Sequence, residues 1–228
     1  MTFSDILTAL SKKKECELIT SWKEIPVKLK LPIKWISSKE RLISFNFKEC
    51  RFKSVFSGTD PVYIKFNEIF LSCRIFSNVR DELVLEIEST VPAPHIALRE
   101  YIRVQPKETE PVYVSFCVGD NCILKARVIN ISESGVGILI YEKDANKLLE
   151  ILSDISTDVQ KIHTIFDIYL ELPHEDNIKT VGELRNIIKE NDYIRIGLKM
   201  DLDEKDRTKV RRYIMQRQRE ILEQLKSI

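Results

Sequence analysis

The chain lacks an excess of charge of either sign. Thirty-six lysines and arginines face 35 aspartates and glutamates, leaving a formal net charge of +1. Bulk electrostatics therefore draw it neither to nucleic acid nor to an anionic membrane surface, and an anionic ligand has to be held by a local cluster. No apolar run approaches the ~18 residues that a membrane span needs. The first residues, Met1 to Glu15, lack the basic-then-apolar plan of a secretory signal. There is no CxxC, and the histidines at 95, 163 and 174 have no cysteine at metal-ligand spacing, so no metal site is expected. The five cysteines, at 16, 50, 73, 117 and 122, read as reduced small hydrophobes. All but Cys16 and Cys50 fall on strand-like segments. A cytoplasmic location follows as the expectation. No Ser/His/Asp or Cys/His set is spaced for catalysis, so neither an enzyme nor a cofactor is expected.

The 228 residues, 43% hydrophobic and 31% charged, suit one large domain or two of about 100 residues. Apolar residues alternate with polar ones at Val27–Leu31 and Ile43–Phe47, then at 62–66, 69–76 and 83–87. Pro32 is expected to break or bend its strand. Turn signals stand at Ser57–Pro61 and Asn78–Asp81. Short strands without long helices indicate a small barrel. The stretch Val91-Pro92-Ala93-Pro94-His95 reads as a stiff connection, which divides the chain into domains 1–95 and 96–228.

Strands resume at 112–118, 123–131, 136–141, 165–172, 181–189 and 193–200, and a helix is expected over 203–226. Residues 144–162 place Ala145, Leu148, Leu152, Ile155, Val159 and Ile162 on a heptad-like stripe. The spacing indicates an inserted helix, lying on its own barrel or serving self-association. The fold class is thus mainly β: two small barrels, an inserted helix and a C-terminal helix. Asp201, Asp203, Glu204 and Asp206 read as a helix cap rather than a cation site. The basic run Lys205–Arg219 reads as a solvated helix face.

Two short signatures carry the chemistry. The first is Arg99-Glu100-Tyr101-Ile102-Arg103, an RxxxR. The second is Asn130-Ile131-Ser132-Glu133-Ser134-Gly135-Val136-Gly137, an NxSxxG between two strand-like runs. A guanidinium fork pairs bidentately with phosphate or with guanine O6 and N7. Asn130 and Ser132 are short turn-formers that can complete hydrogen bonds to a ligand. Gly135 is expected at positive φ, with room for close approach to the backbone.

In this order, one hairpin apart, the two motifs resemble those of the PilZ family, whose members bind cyclic dimeric GMP. Leu83–Val104 also resembles the seam of flagellar-brake proteins of the YcgR type, where a split barrel precedes a six-stranded PilZ barrel. Tyr193-Ile194-Arg195-Ile196-Gly197-Leu198 resembles the family's late strand, and residues 212–219 its closing helix. The resemblance implies cyclic di-GMP as ligand, at a site formed by Leu98, Arg99, Arg103, Asn130, Ser132, Gly135 and Gly137. It implies a sensor or adaptor that changes its interdomain arrangement and signals to a protein partner, such as the flagellar motor, in motility or surface attachment. Leu98 stands where many relatives carry another Arg, and Asn130 where Asp is frequent. One bound ligand rather than a stacked pair, at moderate affinity, is then expected. Nucleic acid is not an expected partner, whereas a homo-oligomer is compatible. The competing reading is a ligand-independent adaptor assembling through 144–162.

Overall fold

A computed structural model describes residues 3–57, 60–118, 121–141, 165–190 and 192–227. The chain divides into two compact units, Met1–Glu100 with Ile221–Ile228, and Tyr101–Glu220. The heptad-like stripe over 144–162 and His163 lie outside the described residues.

The first unit opens with helix α1 (Phe3–Leu10) and continues through β1 (Glu15–Trp22), β2 (Ile25–Ser37), β3 (Leu42–Asn46), β4 (Val62–Phe66), β5 (Ile69–Val79) and β6 (Glu82–Val91). These six strands close into an antiparallel barrel in the order β1-β2-β3-β6-β5-β4. Period-two alternation aims Ile43, Phe45, Leu83, Leu85 and Ile87 inward, and each is at most 1% exposed. From α1, Ile6, Leu7 and Leu10 join this core. So does Leu225, at the far end of the sequence.

Pro32 does not end its strand, since β2 runs on to Ser37. Pairing with β1 stops at Glu15↔Pro32, and pairing with β3 starts at Ile33↔Phe45. The proline sits where the ladder passes from one neighbour to the other, so its missing N–H costs little. Cys16, read outside the strands, is buried within β1. At the β1–β2 turn, Lys23 and Glu24 have φ of 50° and 72°. That is the backbone of a tight type I′ hairpin, built here without the usual glycine.

The second unit contains β7 (Tyr113–Val118), β8 (Asn121–Ser132), β9 (Gly135–Tyr141), β10 (Ile165–Glu171), β11 (Ile178–Glu190) and β12 (Tyr193–Asp201). They form a second closed barrel, β10-β11-β12-β9-β8-β7. Between the two barrels in sequence lies the single helical turn α2 (His95–Leu98). Helix α3 (Glu204–Ser227) follows β12. Asp203 caps it, its Oδ1 accepting the Asp206 N–H at 2.7 Å. The basic residues of α3 are largely paired: Lys209 with Asp206, Arg211 with Glu133, Arg212 with Glu175 and Arg217 with Glu220. Among the described residues no helix is long and apolar enough to cross a membrane.

The cysteines differ from the expectation of five reduced thiols. Cys117 and Cys122 form a disulfide. They face each other across the β7–β8 hairpin, Cα to Cα 4.1 Å, and such opposition brings two thiols within bonding reach. Cys16, Cys50 and Cys73 are free.

Candidate ligand-binding site

The second signature occupies the end of β8 and the turn into β9. Its side chains reach the outer face of the barrel through an irregularity. Val128 pairs with Ile138 on the inner face, and strict alternation would aim residue 130 inward as well. A bulge between Val128 and Asn130 shifts the register, so Asn130 pairs with Gly137 and Ser132 with Gly135 on the outer face. Both side chains are nonetheless nearly covered, Asn130 at 3% and Ser132 at 4% exposed.

The turn is tied down from three directions. Ser132 Oγ donates to the Gly135 carbonyl at 3.2 Å, and the Ser134 carbonyl accepts the Met200 N–H at 2.9 Å. Arg211 Nε and Nη2 both donate to Glu133 Oε2, at 3.1 and 2.9 Å. That carboxylate raises the pKa of Arg211 further.

Gly135 is not in the left-handed region, contrary to expectation. It is required by close approach: a Cβ there would stand 2.3 Å from the Leu198 carbonyl oxygen. A Cβ on Gly137 would stand 2.7 Å from Asn130 Oδ1.

The arginines of the first signature separate. Arg103 directly precedes Val104, which joins the edge of β8 by paired hydrogen bonds, Val104 N–H to Ile131 O and Ile131 N–H to Val104 O, both 3.0 Å. Val104 and Ile131 are fully buried. Antiparallel register then sets exposed Arg103 across from Ser132. The segment is pinned by Arg217, whose buried guanidinium donates from Nε to the Gln105 carbonyl at 2.8 Å. Val104 and Arg217 were not singled out by the sequence. Only an apolar residue one past the motif hinted at the first, and nothing at the second.

Arg99 belongs to the first unit and is engaged there. Its Nη1 donates to the Glu24 carbonyl at 3.1 Å and its Nη2 pairs with Glu24 Oε2 at 3.0 Å. Leu98 is 66% exposed. Asn130, Ser132, Gly135, Gly137 and Arg103 thus lie together in the second unit, while Leu98 and Arg99 belong to the first.

A cavity of about 320 Å³ elsewhere on the second unit is lined by Asp167, Asp201, Asp203 and Asp206 beside Lys179. Its charge is wrong for phosphates. Among the described residues no three His, Cys, Asp or Glu side chains converge as metal ligands.

The family model for the PilZ domain matches residues 97–216, more than half of the chain. The chain belongs to the PilZ family. A relative in Aquifex aeolicus (strain VF5), described only as an uncharacterized protein, is 35% identical over 225 residues, 97% of this chain and 96% of its own. Among solved structures, the K. pneumonia MrkH–c-di-GMP complex is 10% identical with a TM-score of 0.48, covering 94% of this chain and 93% of that one. Escherichia coli YcgR in complex with c-di-GMP is 14% identical with a TM-score of 0.45, covering 97% and 91%. The PilZ match begins one residue before Leu98 and includes both signatures and all six strands of the second barrel.

Proposed function

We propose that this chain is a non-enzymatic cytoplasmic sensor of cyclic dimeric GMP, of the two-domain flagellar-brake type. The observation that carries the reading is the Val104–Ile131 pairing, which brings Arg103 beside Asn130 and Ser132 on one barrel face. Arg103 supplies a fixed positive charge and a planar fork for a phosphate or a guanine edge. Asn130 and Ser132 offer short polar groups from the adjoining strand, and Gly135 and Gly137 keep that strand close to its neighbours. Arg99 is the second guanidinium. Leu98, with no charge to offer, favours one ligand per site.

Arg99 and Arg103 flank the passage from one unit to the other, so a ligand engaging both changes the interdomain arrangement. It does so only through a difference in affinity between arrangements. The altered surface then meets a protein partner, with motility or surface attachment the process implied by the family type.

The test is calorimetric titration with cyclic di-GMP against GTP and a linear dinucleotide. A bidentate arginine contact is worth about 1–3 kcal/mol, so Arg103→Ala weakens binding roughly 5- to 150-fold. Unchanged affinity in both Arg99→Ala and Arg103→Ala removes these residues from the site. Absence of binding by the unaltered protein removes the function.

A further inference from the structure

The bulge that turns Asn130 outward has a counterpart three strands away. In β11, Leu184 pairs with Leu198 on the inner face, and alternation would send residue 186 inward too. The register shifts between Leu184 and Asn186, and Asn186 pairs instead with Gly197 on the outer face. Gly197 pairs in turn with Gly137, and Gly137 with Asn130. Four adjacent strands therefore carry Asn130, Gly137, Gly197 and Asn186 in one row.

The two glycines do the same work for the two amides. A Cβ on Gly197 would stand 2.0 Å from Asn186 Oδ1, as one on Gly137 would meet Asn130 Oδ1. Each asparagine lies across the bare backbone of the neighbouring strand. Their carboxamides approach each other over two strands about 5 Å apart. The result is a low, flat, polar shelf on the face that Ser132 shares. On the next row along, Arg127 and Arg195 flank Leu139, in register through β8, β9 and β12. A flat hydrogen-bonding shelf bordered by guanidiniums suits a planar base joined to a phosphate. Asn130 is buried, whereas Asn186 is exposed and accessible to a ligand.

The geometry points to Asn186 as a specificity-determining residue for a purine base, reading a guanine Watson–Crick edge from β11. Its Oδ1 accepts from guanine N1–H and N2–H2. Gly197 serves by letting that amide lie flat. This inference rests on the proposed cyclic di-GMP function, and it adds a residue that neither signature contains.

The experiment titrates the full chain with cyclic di-GMP and with its inosine analogue, which lacks the N2 amino group. Asn186→Ala is expected to weaken cyclic di-GMP binding 5- to 150-fold and to narrow the preference for guanine over inosine. Asn186→Asp, whose carboxylate accepts from both N–H groups, is expected to retain that preference. Gly197→Val, displacing the amide, is expected to reproduce the loss. Thermal melts report folding of each variant, and the guanine-to-inosine ratio is a readout that a purely structural role leaves unmoved. Unchanged affinity in Asn186→Ala, or equal loss for both ligands, overturns the inference while the sensor function stands. No binding of cyclic di-GMP by the unaltered protein overturns both.

Discussion

Glu24 holds Arg99 by two contacts, one from its backbone carbonyl and one from its carboxylate. On the proposed reading the ligand phosphate takes the place of that carboxylate, so Glu24 acts as an internal competitor for the guanidinium. A partly exposed ion pair is worth about 0.2–1 kcal/mol. Glu24→Ala should therefore tighten cyclic di-GMP binding by up to about fivefold, measured by calorimetry. Weaker binding in that variant would instead put Glu24 among the groups that support the ligand. The residue scale also shows what sequence can and cannot convey. Arg99 and Arg103 are legible as a spaced pair, but the partner of Arg99 is 75 residues away and carries no motif. Gly135 is legible as a necessary glycine, with the reason misassigned. Its constraint comes from the Leu198 carbonyl on a facing strand, which local sequence does not reveal.

At the scale of elements, alternation was a dependable guide where strands are regular and silent where they are not. The runs at 62–66 and 136–141 match β4 and β9 almost residue for residue, because one face of each is buried. The bulges after Val128 and Leu184 add one residue to one partner only. They leave no compositional mark, so the sequence alone does not single out Asn186. The Cys117–Cys122 bond is likewise invisible to composition, since pairing depends on hairpin register. Its sequence separation of 5 closes a very short loop, so chain entropy gives it about 2 kcal/mol. Reduction should lower the stability of the second unit by roughly that amount. Thiol titration of the unfolded, unreduced protein should find three free cysteines, and all five after reduction. Five without reductant would exclude the bond in solution. In the folded protein the three free thiols should alkylate slowly at neutral pH. Burial pushes Cys16 up to about 11 and raises Cys50 and Cys73, so little thiolate forms.

At the scale of the molecule, helical spacing identifies Leu225 as apolar and inward, but not what it packs against. Its neighbours are the core residues of the first barrel, more than a hundred residues earlier. Leu225→Ala should cost about 2–5 kcal/mol in the first unit. The chain's two tryptophans, Trp22 and Trp35, both lie in that unit, so their fluorescence isolates its unfolding. The tryptophan transition should move to lower denaturant in the variant. An unmoved transition would mean that the end of α3 contributes nothing to the first core.

Closure of both barrels carries a consequence for how this protein meets others. In each, the ladder returns to its starting strand, β4 to β1 and β10 to β7. Among the described residues neither barrel has an edge strand, so a partner finds no full-length flank on which to add one, the route by which many signalling modules capture extended peptides. Recognition along these closed ladders then falls to side chains on curved outer walls. A substitution there can retune a partner or a nucleotide without disturbing the ladder beneath it.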